Sequence, residues 1–569
     1  TFILREVWHK SGFTTTGRRP CTARRLQLGN RGRNQAINSI VGQLSEEVLS
    51  MDRQQIPGAE QLPITYKNIH VTTPEGAPPP DVPSWIWEVD HPYLHGLFAP
   101  VADELSSDEL VVEQGEVPKD LDGIYVLNGP NQRYKPWGRY HYYDGDGMLH
   151  ATYFSNGNVS YKSKWIRTDA FVEEEKQQRA VWPGLCGPFN HDLPGSPIKD
   201  NSNTDIIFYQ GKLMSLWYLA GSPQAIDPIT LTTLGQETLN DTLTHNLSAH
   251  SKVDPRTGDL VFFNYQDVEP YMTYGVANAE TGQRTEVPID LPGPRSPHDM
   301  GITEHYSILH DLPYFHDAEV LAQHKKRVVR FHSDIPARFG VIPRFGKSED
   351  VRWFEAAPCY VLHLVNCWEE DDTIVMVGCR QDNPGGKRDS EEGPLASQLA
   401  ERRRSHELHE WRLHMKTGET TERVLNTLNL EFPTINGRFA GVPNRFSYLQ
   451  ALPESPKEGA IEGRCQTFDA LVKYDYQTGE IQRFDYGSGV SGSESWFAPK
   501  AGSDGESAED DGYVITYTHS RNDWGSRCLI FDAGNIAKGP IATVRMPRRF
   551  NIGFHGVWVQ GEELSTAED

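Results

Sequence analysis

The chain has 569 residues, a formal net charge of −23, 37% hydrophobic and 23% charged residues and a mean hydropathy of −0.57. No run approaches the roughly 18 apolar residues of a membrane-spanning helix, and the acidic balance argues against a general nucleic-acid binder, which needs a basic footprint. Seven scattered cysteines with no C-x-x-C pair argue against a disulfide framework and a thiolate zinc site.

In chain order, residues 1–56 form a basic N-terminal extension. Thr1–Ala36 holds eight basic residues and one acid, Glu6, and is rich in Thr and Gly. An Arg-rich, hydroxyl-rich, acid-poor leader resembles an organellar transit peptide, which gives a plastid or other organelle as the compartment. A disordered basic tail has the same composition and leaves a cytoplasmic location, with or without membrane contact. Glu46–Asp52 has a short helical pattern. Residues 57–93, containing "PEGAPPPDVP", read as a Pro-rich connector.

Residues 94–563 have an even β texture. Elements of roughly 5 to 8 residues, rich in Val, Ile, Phe and Tyr, alternate with turn signals. Four turns share one formula: "DPRTGDLVFF" at 254–263, "NAETGQRTEV" at 278–287, "HMKTGETTERV" at 414–424 and "YDYQTGEIQRF" at 474–484. Each sets Thr-Gly where a hairpin needs positive φ. Short hairpins sustained over this length favour a β-propeller over a sandwich, which usually ends near 250 residues. One long helical pattern interrupts them, "SQLAERRRSHELHEW" at 397–411.

Of 21 histidines, four have unusual settings: His250 in "LSAHSKVDPRTG", His298 in "SPHDMGIT", His363 in "CYVLHLVNCWEE" and His555 in "NIGFHGVWVQ". Each sets an imidazole in or beside an apolar strand, where an unpaired ring nitrogen costs about 1–3 kcal/mol. A metal ion would satisfy all four. Their intervals of 48, 65 and 192 residues exceed any local motif, so only a closed ring of blades would bring them together.

The segments "LDGIYVLNGPNQRY" (121–134) and "YHYYDGDGMLHATYF" (140–154), with "AHSKVDPRTGDL", "PHDMGITEHYSILHDLP", "YVLHLVNCWEE", "LEFPTING" and "GFHG", resemble the carotenoid cleavage oxygenase family from about Leu94 to Gly556. That family includes carotenoid and apocarotenoid dioxygenases, lignostilbene dioxygenases and a retinal-pigment-epithelium isomerase. The resemblance implies an all-β, seven-bladed propeller with a helical cap over the iron-bearing face. It implies Fe(2+) held on the axis by His250, His298, His363 and His555, with Glu431 and Glu494 accepting hydrogen bonds from ligand rings. Thr204 matches a threonine whose methyl approaches a vacant iron position. Tyr143, Trp217, Tyr218 and Leu362 match substrate-tunnel positions.

The implied reaction inserts O₂ across a conjugated C=C bond of a carotenoid or apocarotenoid and gives two carbonyl products. A resveratrol-like stilbene is the alternative substrate, and a non-catalytic polyene-binding propeller the remote one. The chain departs from the family in two places. Tyr218 stands where a third glutamate is usual, so one histidine, His250 or a neighbour, should lack a carboxylate partner. Trp217 stands where stilbene-cleaving members carry a Lys, which favours the polyene. "AVWPGLCGPF" (180–189), with Trp182, Leu185 and Phe189, and "DLPYFHDAE" (311–319) are candidates for a rim in peripheral contact with a membrane.

Overall fold

The computed structural model describes residues 79–187, 198–316, 329–386, 404–453, 467–502 and 507–565, together with Ala396 and Ala400. The N-terminal extension, the Glu46–Asp52 pattern and Phe189 lie outside the described residues.

Seven sheets of four or five strands, each an antiparallel meander, follow one another along the chain. Blade two begins at Asp205–Tyr209, blade three at Lys252–Val253, blade four at Gly301–Ile302, blade five at Tyr360–Glu370, blade six at Leu430–Thr434 and blade seven at Val490–Pro499. Blade one is built from both ends of the chain. Its inner strand, Gly556–Gln560, pairs with Gly123–Pro130 through Gly123↔Gln560 to Leu127↔Gly556. Near the amino end, Val111–Gly115 adds to the outer edge of blade seven by pairing with Ala542–Arg545. The ring is thus closed twice, by strands from opposite ends of the chain.

The four Thr-Gly turns join paired strands as the sequence predicts. Gly258, Gly282, Gly418 and Gly479 have φ between +66° and +83°, and each N–H donates to the carbonyl four residues back at 2.8 or 2.9 Å. In a strand successive side chains face opposite ways, and here both faces are covered by a neighbouring blade. Ile124 and Val126 pack toward blade two, whereas Tyr125 and Leu127 pack toward blade seven. Leu260 and Phe262 likewise pack toward blade two, and Val261 and Phe263 toward blade four. This is why the strands read as nearly continuous apolar runs. A separate buried cluster fills each of the seven interfaces between adjacent blades.

Two expectations are amended. The helical pattern at 397–411 does not persist to its end: Ala396 and Ala400 are helical, but Glu407–His414 is a strand paired along Thr373–Gln381. Its buried Leu408, Trp411 and Leu413 fill the blade-five core, so tertiary pairing overrides local propensity. At the carboxyl end of the Pro-rich connector, Ile86 and Tyr93 are buried against Tyr142 and Phe554. In the described part of the cap, the α-helix Asp169–Gln177 is joined by 3₁₀ turns at Ser84–Glu88 and Tyr142–Asp144 and by the hairpin of Tyr314–His316 with Val329–Phe331.

Gly129 tests the closure. A Cβ there would lie 2.5 Å from the Gly553 Cα, on the segment that leads to His555. We expect Gly129→Val to cost about 1–3 kcal/mol, as overpacking does, and to lower both the thermal midpoint and the metal content. An unchanged midpoint with full metal loading would contradict this closure.

Candidate metal centre

Each blade contributes one residue, just before or within its inner strand. Thr204 precedes the blade-two strand, His250 the blade-three strand, His298 the blade-four strand and His555 the blade-one strand. His363, Glu431 and Glu494 lie within the inner strands of blades five, six and seven. In those three strands the pairing slips at the functional residue, between Val361 and Leu364, Glu431 and Thr434, and Gly492 and Ser495. A bulge re-aims a side chain out of the pleat, and the recurrence at all three positions gives it a role. His250 reaches its place with φ +64°, a left-handed conformation that costs about 1–3 kcal/mol for a non-glycine residue.

The four imidazoles converge. One nitrogen from each lies within 4.8 Å of the others, and ring centroids are 4.6 to 5.1 Å apart for five of the pairs. Nε2 of His250 and Nε2 of His363 are buried with no hydrogen-bond partner among the described residues. A cation between the rings would supply what both nitrogens lack, so the donor set fits a metal ion. Burial first, then the neighbouring rings, holds His250 and His298 well below the ordinary imidazole pKa, and burial does the same to His363. These three are therefore neutral at neutral pH, the form that ligates. His555 moves the other way: burial lowers it, but the Glu494 carboxylate outweighs that and raises it overall.

Two rings are oriented from behind. His363 Nδ1 lies 2.5 Å from Glu431 Oε2, which also accepts from the Phe432 N–H at 2.8 Å. His555 Nδ1 lies 2.9 Å from Glu494 Oε1, while Glu494 Oε2 accepts from the Gly556 N–H at 2.6 Å. Such contacts fix the tautomer and leave Nε2 for a metal. Burial pushes Glu431 up to about 7. A cation at Nε2 would draw this pair toward a neutral imidazole donating to a carboxylate.

His250 is held differently. Its Nδ1 is 3.9 Å from Asp205 Oδ2, too far for a hydrogen bond, but its backbone N–H donates to that oxygen at 2.9 Å. Like the His250 ring, the His298 ring has no hydrogen-bonded carboxylate among the described residues. Its neighbour is Tyr218, 6.2 Å away between ring centroids. Tyr218, which stands where a third glutamate is usual, is thus beside His298.

The remaining predicted residues divide between two spaces. Tyr143, Tyr218 and Leu362 line an inner cavity of about 200 Å³ with His298. Trp217 instead lines a larger groove of about 880 Å³, beside Trp182. The two share Ile198, Leu219 and Tyr265 as wall residues. The Thr204 hydroxyl donates to Asn203 at 3.2 Å and accepts from the Tyr218 N–H at 3.2 Å. Leu185 reaches the inner cavity, and Trp182 and Leu185 are half-buried.

Sequence reasoning missed four contributors. Phe432 stacks on His555 with centroids 4.7 Å apart and planes at 16°; Asp205 anchors the His250 backbone. Buried His406 sets Nε2 3.7 Å from Glu431 Oε1, with Nδ1 on Asn429 Oδ1 at 2.9 Å. Arg404 lines the inner cavity. Phe432 and Asp205 directly follow named residues, but Arg404 and His406 lay inside the segment read as helix.

The family model for the retinal pigment epithelial membrane protein matches residues 98–560. Carotenoid 9,10(9',10')-cleavage dioxygenase 1 of Pisum sativum is 34% identical over 83% of this chain and 91% of its own length. A probable carotenoid cleavage dioxygenase 4, chloroplastic, of Arabidopsis thaliana is 29% identical over 83% of this chain and 81% of its own. The crystal structure of Pseudomonas brassicacearum lignostilbene dioxygenase superposes with a TM-score of 0.74 at 26% identity, over 83% of this chain and 99% of that one. The chain belongs to the carotenoid cleavage oxygenase family. It is an enzyme of that oxygenase class, with a four-histidine group able to hold a metal ion.

We expect Glu431→Ala and Glu494→Ala each to weaken metal binding by about 10- to 100-fold, measured by competition with a chromogenic chelator. Glu→Gln at either position, which keeps an accepting oxygen, should lose less. Equal affinity for the wild type and both alanine variants would contradict the orienting role.

Proposed function

We propose that the protein is a non-haem iron(II) dioxygenase that cleaves a conjugated C=C bond of a carotenoid or apocarotenoid with O₂ and yields two carbonyl products. One observation carries this reading: four imidazoles, three of them buried, with ligating nitrogens within 4.8 Å of one another, beside a cavity that His298 helps to line, in a member of this family.

His250, His298, His363 and His555 would hold Fe(2+). Neutral imidazoles suit iron among the first-row metals and leave its full charge uncompensated. When bound, the iron supplies the O₂-activating redox chemistry that no side chain here provides. The chain's own residues do the rest. Glu431 and Glu494 hold two ring nitrogens as donors, so the opposite nitrogens stay available. With its hydroxyl engaged by Asn203 and the Tyr218 N–H, Thr204 has only its methyl left to narrow the space around the axis. Leu362, Tyr143 and Tyr218 position the double bond beside His298 and exclude water from it, and Trp217 forms the groove wall outside.

Leu362 and Leu185 give apolar contact to a polyene, and Trp217 stands where a phenol-binding lysine would serve a hydroxystilbene. A phenolic stilbene is the second reading, favoured by the tyrosine-rich inner cavity and by the likeness to lignostilbene dioxygenase. The basic N-terminal extension agrees with a plastid location, as does the chloroplastic relative. No helix among the described residues is long and apolar enough to cross a membrane. A lipid-dissolved substrate would call for peripheral membrane contact at the groove mouth, near half-buried Trp182.

Anaerobic loading with Fe(II), followed by O₂ and a panel of carotenoids, apocarotenals and resveratrol, tests the reading. Aldehyde products from the polyenes are expected, and chelation or His363→Ala should abolish them. Turnover confined to the stilbene would overturn the substrate class, and full activity in His363→Ala would overturn the metal assignment.

A further inference from the structure

The inner cavity has a chemical asymmetry that a hydrocarbon does not need. Five tyrosines line it, Tyr143, Tyr218, Tyr265, Tyr314 and Tyr360, together with Arg404. Arg404 is the only Lys, Arg, Asp or Glu among the described residues of this wall. Two of the phenols donate to the backbone: Tyr265 to the Tyr218 carbonyl and Tyr360 to the Ser296 carbonyl at 3.2 Å. The Arg404 Nε donates to the Pro384 carbonyl at 2.5 Å, which ties the base of the guanidinium to the end of the preceding blade-five strand.

The ring topology places Arg404 relative to the histidines. The outer groove meets the cavity at Leu219 and Tyr265, which belong to blades two and three. Leu362, Tyr360 and Arg404 belong to blade five, two or three blades further round the ring, and His298 of blade four lies between in ring order. A substrate that enters along the groove passes His298 before it meets Arg404. At about 200 Å³ the cavity is smaller than the roughly 300–1,000 Å³ of pockets that enclose a whole drug-sized ligand. It therefore takes one end of a long molecule while the remainder lies in the groove.

We propose that Arg404 is a specificity-determining residue that receives an oxygen acceptor at the inner end of the substrate, so that the enzyme prefers an oxygen-bearing polyene over a hydrocarbon carotene. This rests on the oxygenase reading above and adds the terminal group. Aldehyde, carboxylate and phenolic oxygens all accept from a guanidinium, and a carboxylate does so with charge assistance. A hydrocarbon terminus offers it nothing. Fixing one end also fixes which double bond stands beside His298.

The test uses the iron-loaded full chain and the variants Arg404→Met and Arg404→Lys. The substrates are a hydrocarbon carotene, an apocarotenal, the matching apocarotenoic acid and resveratrol. Arg404→Met should lower kcat/KM for the aldehyde and the acid by about 10- to 100-fold, the range for a hydrogen bond to a charged group, and leave the carotene within about threefold. Arg404→Lys should recover the acid better than the aldehyde. Equal loss on the carotene, or no loss on the oxygenated substrates, would overturn the proposal. A second readout is independent of turnover: quenching of tryptophan fluorescence by the apocarotenoic acid should report at least tenfold weaker binding to Arg404→Met, with an unchanged thermal midpoint. If the wild type turns over nothing but this binding difference remains, the oxygenase reading falls and the Arg404 assignment stands. Equal binding by wild type and Arg404→Met overturns the assignment whatever the activity.

Discussion

Nε2 of His250 and Nε2 of His363 are buried without a hydrogen-bond partner among the described residues, on rings whose centroids are 5.0 Å apart. Leaving such atoms bare costs about 1–3 kcal/mol each, and the left-handed backbone at His250 adds to that. A strained backbone beside two unmet imidazole nitrogens on converging rings is what a site built for a ligand shows. Much of the architecture serves this point. Seven blades deliver seven residues to the axis, the double closure fixes the ring, and three bulges turn side chains inward that a regular pleat would aim elsewhere.

The support behind the rings is graded. His363 and His555 each have a buried carboxylate, and that carboxylate is itself held by the backbone N–H of the next strand residue or of Gly556. His250 is positioned through its main chain. His298 has Tyr218 beside it, and the residue after it, Asp299, accepts from the Leu364 N–H at 2.8 Å and so links the His298 segment to the strand that carries His363. Tyr218, where the family usually has glutamate, thus stands beside the one ligand ring that also lines the inner cavity. A phenol in that place adds to the aromatic wall and brings no negative charge beside His298.

Much of this was legible in the sequence, for physical reasons. The Thr-Gly turns are local, and positive φ at glycine marks them without tertiary knowledge. The four histidines stood out because an imidazole in an apolar strand needs a reason. Convergence of residues up to 305 apart was not visible from spacing; it came from the resemblance. What was missed depends on pairing. Glu407–His414 carries a charge pattern that suits a helix, and only its partner strand makes it β. Arg404 and His406, at its edge, were therefore hidden. Bulges leave no strong signature either, apart from Pro433, a residue that a regular inner strand disfavours.

X-ray absorption at the iron edge of the reconstituted protein addresses the centre most directly. The account predicts four imidazole nitrogens bonded to iron and no protein carboxylate or sulfur among the ligands, with the imidazole scattering reduced by about a quarter in His363→Ala. A carboxylate bonded to iron, or fewer than four imidazoles in the wild type, would contradict it.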